Sequence, residues 1–200
     1  MELDINIVDI PSLYASTKRA NIHIDYMKLM KALPNLRTTV GFDDANAKIT
    51  TEAFMAVDDS FEKQQPFIKA LRTFGYKLNT ADFRLTRYEQ VGADGDTEDI
   101  ESLSDSICTK LGMMEGYARA TNTEATAVVI SNDLRLRRTL LQFATDKTSP
   151  FFDNIVLAFY SAGLDDGWAD LIEPAGVISF YDLRHSPGVL TNRPPRPSRY

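Results

Sequence analysis

The chain has 200 residues, 44% hydrophobic and 25% charged, with a formal net charge of −6, which is enough for one domain with a substantial core. The acidic balance argues against coating long stretches of nucleic acid by bulk attraction, while leaving room for a local basic rim. No apolar run is long enough to span a bilayer, no basic stretch precedes an apolar one at Met1-Glu2-Leu3-Asp4, and the single cysteine, Cys108, excludes a disulfide framework, so a cytoplasmic protein away from the membrane is expected.

Leu3 to Ile10 is an apolar strand that closes on Asp9. Ile22, Tyr26, Leu29, Met30 and Leu33 then fall on one helical face, and Pro34 is expected to end that helix. Ala53 to Val57 reads as a second strand that runs into the acid pair Asp58-Asp59, a turn or a helix cap. Phe67, Leu71 and Phe74 mark a helix that Pro66 can start and Gly75 can close. Tyr76 to Thr80 is a third strand, which Phe83, Leu85 and Tyr88 extend or fold back as a hairpin. The acids Glu89, Asp94, Asp96, Glu98, Asp99, Glu101 and Asp105 crowd the next stretch, with Val91 to Asp96 as a flexible connection.

Leu103, Ile107, Leu111, Met114 and Ala118 form a helical stripe, where Gly112 and Gly116 either loosen the helix or allow close packing. Ala127 to Ile130 is a strand followed at once by Ser131-Asn132-Asp133, and Leu136, Leu140, Leu141 and Phe143 mark the helix after it. Ile155 to Tyr160 is a strand, Leu164 to Ile172 a short helix and Val177 to Tyr181 a last strand. Strands alternating with helices predict a three-layer α/β/α domain over residues 1–185, with a mostly parallel central sheet of five to six strands. Residues 186–200 read as a basic, proline-rich tail ending Arg193-Pro194-Pro195-Arg196-Pro197-Ser198-Arg199-Tyr200.

In such a sheet ligands bind outside the carboxyl ends of the strands, and acids there can hold a hard divalent cation. Asp9 and Asp133 stand at those ends, although capping of the next helix would also account for either. A third acid is expected from the helix before the Ala127 strand. Asp105 lies at its start, and Glu115 lies ten residues on, about 15 Å along a continuous axis. Both cannot then reach one metal, and a break at Gly112 would favour Glu115.

The order of these elements resembles the PIN-like nucleases, in particular their NYN branch. Asp9-Ile10-Pro11-Ser12-Leu13-Tyr14 is similar to the family's early strand-end Asp with a following apolar-aromatic pair, with Ile10 and Ser12 where Asn is usual. Gly75-Tyr76-Lys77-Leu78-Asn79-Thr80 resembles the Gly-aromatic entry to its third strand. Leu103-Ser104-Asp105-Ser106-Ile107 looks like an acid-bearing helix start, whereas Glu115 fits the family better by its distance to the next strand. Val128-Val129-Ile130-Ser131-Asn132-Asp133 is the most specific match, an apolar strand ending Ser-x-Asp.

The resemblance implies a metal-dependent ribonuclease. Asp9, Asp133 and one of Asp105 or Glu115 would be both its catalytic acids and its Mg²⁺ or Mn²⁺ ligands, and Ser131 would shape the site. Where the family has a further acid after Ser-x-Asp, this chain has Leu134-Arg135-Leu136-Arg137-Arg138. Arginines there bind phosphate or replace the metal's charge, so the alternative is an inactive PIN-like module that binds RNA or a protein partner. Arg135, Arg137, Arg138, Arg84 and Arg87, with Ser12 and Ser131, are the candidate contacts to RNA, single-stranded or structured, and a homo-oligomer is the further option.

Other signals are weaker. Asp94-Gly95-Asp96-Thr97-Glu98-Asp99 lacks the glycine of a calcium loop. His23 and His185 have no ligand-spaced partner, and Cys108 sits beside an apolar stripe as a packed thiol. No dinucleotide or phosphate-loop glycine motif occurs, and no Asp-x-Asp pair follows the first strand, which disfavours a small-molecule phosphatase.

Overall fold

Six parallel strands build the centre of the molecule. The computed structural model describes residues 3–42, 47–58, 62–82, 87–91, 97–163, 166–168 and 178–192. Its first half runs β1 (Asp4–Asp9), α1 (Ile10–Arg19), β2 (Ile22–Ile24), α2 (Tyr26–Thr39), β3 (Ile49–Val57), α3 (Gln65–Thr73) and β4 (Lys77–Asp82). The second runs β5 (Arg87–Val91), β6 (Thr97–Glu101), α4 (Ser104–Thr121), β7 (Thr126–Ile130), α5 (Arg137–Thr145), β8 (Ile155–Phe159), β9 (Ser179–Asp182) and β10 (Leu190–Asn192).

The central sheet has the order β4-β3-β1-β7-β8-β9, and every pairing in it is parallel. Counting these strands alone, the order is 3-2-1-4-5-6, the doubly wound arrangement whose direction of travel reverses between β1 and β7. Burial on both faces explains the unbroken apolar runs. Along β1, Ile5 and Ile7 join one core while Val8 joins the other; Val129 and Val128 divide in the same way on β7. The first core packs beneath α4 and α5 through Ile107, Leu111, Leu140 and Phe143. The second packs beneath α1, α2 and α3 through Leu13, Leu29, Leu33 and Leu71. Among the described residues no helix is long and apolar enough to cross a membrane.

Several local expectations need correction. Helix α1 is not among the expected elements; Ser16 and Thr17 share its buried face with Ile10 and Leu13. Their hydroxyls bond back to the carbonyls of Ser12 and Leu13 at 2.9 and 2.8 Å, so burial leaves them satisfied. Ile22 lies on β2 rather than on the next helix. Pro34 does not end α2, which runs on to Thr39. An interior proline costs about 3 kcal/mol, and here burial of Leu29, Leu33, Leu36 and Arg37 on both sides of it offsets that cost.

Strand β3 begins at Ile49, ahead of the expected Ala53. Helix α4 is continuous across Gly112 and Gly116, where an added Cβ would meet nothing within 4 Å. The acidic stretch contributes an antiparallel pair, β5 with β6. Asp59, Phe83 to Leu85 and Gly92 to Asp96 lie outside the described residues, as do most of Leu164 to Ile172 and the tail from Arg193. Ser186 to Asn192 is not tail: Val189 is buried, and β10 pairs with β2.

Candidate functional site at the switch point

The carboxyl ends of β1 and β7 lie side by side, with Val8 opposite Ile130. Each strand therefore delivers its next residues, Asp9 and Ser131-Asn132-Asp133, to the crevice where doubly wound sheets take ligands. Asp9 caps α1, its Oδ1 accepting from the Ser12 amide at 3.4 Å. Its Oδ2 accepts from the Ser131 hydroxyl at 2.7 Å. The Ser12 and Ser131 hydroxyls are 3.0 Å apart. Either hydroxyl can donate between them, and that of Ser12 also reaches the Asp9 carbonyl at 3.5 Å. The Ser12 oxygen in turn accepts from the Asn132 amide at 3.1 Å, and the Ser131 oxygen from the Asp133 amide at 2.9 Å.

Asp133 caps the short 3-10 turn Leu134–Leu136, accepting from the Arg135 amide at 3.0 Å. Its other oxygen accepts from the Ser102 hydroxyl. The Asn132 side chain ties the loop to the end of β8, donating to the Tyr160 carbonyl at 2.9 Å and accepting from the Tyr160 amide at 3.0 Å. One hydroxyl, that of Ser131, thus joins the Asp9 carboxylate to the backbone amide of Asp133.

Asp9 is wholly shielded from solvent. Burial pushes its pKa up to about 6; the Asp133 charge pushes the same way, and hydrogen bonds from Ser131 and Ser12 pull back. Cys108 is a packed thiol as expected, 3.2 Å from the Thr139 hydroxyl, with its pKa raised by burial and by nearby Asp105 and Asp133.

The structure gathers Asp9, Asp133, Ser12 and Ser131, and it puts Asp105 on the exposed first turn of α4, three residues after Ser102. Glu115 goes elsewhere. Without a break at Gly112 it remains two turns or more down α4, paired with Arg119 at 2.9 Å, which also pairs with Asp146 at 2.9 Å. Arg135 and Arg138 are exposed and Arg137 is half-buried, all directly after Asp133. Arg84 is outside the described residues, and Arg87 is described only as backbone in β5.

A shared Mg²⁺ or Mn²⁺ ion needs several open oxygen ligands. Here Asp9 is sealed, both carboxylates are engaged by neighbouring donors, and among the described residues no group of three acids, histidines or cysteines is gathered to hold a cation. This arrangement does not fit the metal centre that the sequence resemblance implies.

Sequence reading missed Ser102, the first of three alternating serines at the start of α4, whose hydroxyl also accepts from the Ser104 amide at 3.2 Å. It also missed Glu52, which lies in β3 opposite Ile7 and is 1% exposed. Its Oε1 accepts from Lys110 at 2.9 Å and Lys77 at 3.0 Å, and its Oε2 from Asn79 at 2.8 Å. Starting the strand at Ala53 left this acid just outside it; a charged residue inside the true apolar run was the available clue. No protein-family model, no curated protein and no solved structure matches this chain.

Proposed function

We propose that this protein is an RNA-binding α/β module that grips phosphates at the switch point of its sheet and does not cleave them. The observation that carries this reading is the internal commitment of both acids. Asp9 is sealed beneath the Ser12–Ser131 hydroxyl pair, and Asp133 is held by Ser102 and the Arg135 amide. Arg135 and Arg138, which directly follow Asp133, are exposed, as is Asp105. Guanidinium groups recognise phosphate with paired donors, and a local basic rim is compatible with an acidic whole.

The metal-dependent ribonuclease is the second reading, favoured by the delivery of Asp9 and Asp133 to the adjacent carboxyl ends of β1 and β7. One experiment separates the two. A fluorescent single-stranded RNA is titrated with protein while a parallel gel follows its length in Mn²⁺. The binding module is expected to hold the RNA intact, with affinity falling as salt rises and dropping about tenfold or more in the Arg135→Glu, Arg138→Glu double variant. Cleavage in Mn²⁺ that disappears in Asp9→Asn and Asp133→Asn would establish the nuclease instead. RNA left intact in Mn²⁺ and bound with indifference to salt and to the double variant would discard both.

A further inference from the structure

A cleft of about 460 Å³ opens between β4 and α4, with Phe54 of β3 at its base. It lies on the same edge of the sheet as the switch point, since Phe54 is level with Asp9 and Asn79 is level with Phe54. Its size is within the range of small-molecule sites, about 300–1,000 Å³. The apolar part is a largely buried floor of Phe54 and Leu103 with Ala81 and exposed Met113; the polar part includes Asn79, Asp105 and Lys110.

Two of those polar groups are pre-oriented from beneath. Buried Glu52 holds the Lys110 ammonium at 2.9 Å and the Asn79 amide at 2.8 Å, and also takes Lys77 at 3.0 Å. Burial would raise the Glu52 pKa, but hydrogen bonds from Lys110, Lys77 and Asn79 outweigh it and keep the carboxyl below its usual range. Of the two ammonium groups on Glu52, that of Lys110 lines the cleft, where it is the cation opposite the Asp105 carboxylate. Asp105 supplies an acceptor on the rim, and Met113, 57% exposed, adds an unbranched apolar side chain.

We propose that this cleft binds a single nucleotide unit, with its base against Phe54, Leu103 and Met113, its sugar hydroxyls toward Asp105, and its phosphate on Lys110. A flat apolar body, neighbouring hydroxyl donors and one anionic group are what this set of walls complements. The proposal rests on the RNA-binding reading only in taking the ligand from RNA. It adds a pocket for one residue of the strand beside the arginine contacts to its backbone.

Calorimetry with each of the four ribonucleoside 5′-monophosphates, and with adenosine, tests it. At least one monophosphate is expected to bind with one-to-one stoichiometry. Lys110→Gln should weaken the monophosphate about tenfold and leave adenosine unchanged. Thr109→Trp, an exposed position on the cleft wall, should block both ligands; thermal melts verify that each variant folds. Absence of monophosphate binding, equal loss of adenosine and AMP in Lys110→Gln, or occupation by free amino acids instead would overturn the assignment. RNA binding that survives Thr109→Trp at full strength would remove the cleft while keeping the RNA reading. Monophosphate binding without any RNA binding would do the reverse.

Discussion

Asp9 and Glu52 lie on neighbouring strands, Asp9 opposite Phe54 and Glu52 opposite Ile7, and both are almost completely withdrawn from water. Desolvation acts on both in the same sense, toward the neutral acid. Yet the Asp9 pKa rises to about 6, whereas the Glu52 pKa falls below its ordinary value. The difference lies in the donors. Glu52 faces two lysine ammonium groups and an amide, while Asp9 faces hydroxyls, an amide and the negative charge of Asp133. Burial alone therefore does not say whether a carboxylate in this sheet carries charge at neutral pH; the charge of its neighbours does. Glu52 is a fixed anion that positions cations beside a cleft, and Asp9 is an acid poised to change charge near neutrality.

The strongest way to break this contrast is Glu52→Ala. It strands Lys110, whose side chain is 21% exposed, and Lys77, which is 62% exposed. Removing one partner of a buried pair costs about 3–5 kcal/mol, and because both lysines can turn to water, about 3 kcal/mol is expected in urea unfolding at pH 7. A lowered folded pKa means that the Glu52 contribution is present above the unfolded value, 4.5, and is lost as pH falls further. The gap between wild type and variant should therefore close in acid.

Asp9→Asn should do the opposite. The folded protein favours neutral Asp9, so the acid's contribution is full below its unfolded value of 3.8 and is lost as pH rises through about 6. Asparagine keeps the neutral form at every pH. The variant is expected to exceed wild type by up to about 3 kcal/mol at pH 8, since each tenfold change in proton affinity is worth roughly 1.4 kcal/mol, and to match it at about pH 3.5. Equal destabilisation by Asp9→Asn and Glu52→Ala at pH 8 would erase the distinction between the two acids.

Ser131→Ala sharpens the contrast with a smaller effect. It removes a hydrogen bond that lowers the Asp9 pKa, together with the acceptor of the Asp133 amide. A loss of about 1 kcal/mol is expected, with the Asp9 carboxyl titrating at higher pH by carbon NMR. An unchanged Asp9 titration would show that the hydroxyl does not set its charge.

Much of the architecture is legible along the chain. The apolar runs around Val8 and Val129 announce strands buried on both faces, and their terminal acids follow from strand direction to one end of the sheet. The stripe from Leu103 to Ala118 specifies α4, although its two glycines suggest a weakness that the packed helix does not have. Local periodicity fails where hydroxyls replace apolar groups on the inner face of α1, and where Pro34 is carried through by packing on either side. At the site, the Ser131-Asn132-Asp133 segment can be singled out from its residue types, but the sealing of Asp9 and the continuity of α4 through Gly112 cannot.

The sequence by itself determined the alternation of strands and helices, and with it the edge of the sheet where Asp9 and Asp133 emerge, because burial leaves a period of two or 3.6 residues in the chain. Only the tertiary structure decided what those acids face. Asp9 meets Ser131 across 122 positions of chain, and Glu52 meets Lys110 across 58. Charge, solvent access and hydrogen-bond partners are set across such distances by strand order, and no local pattern records them.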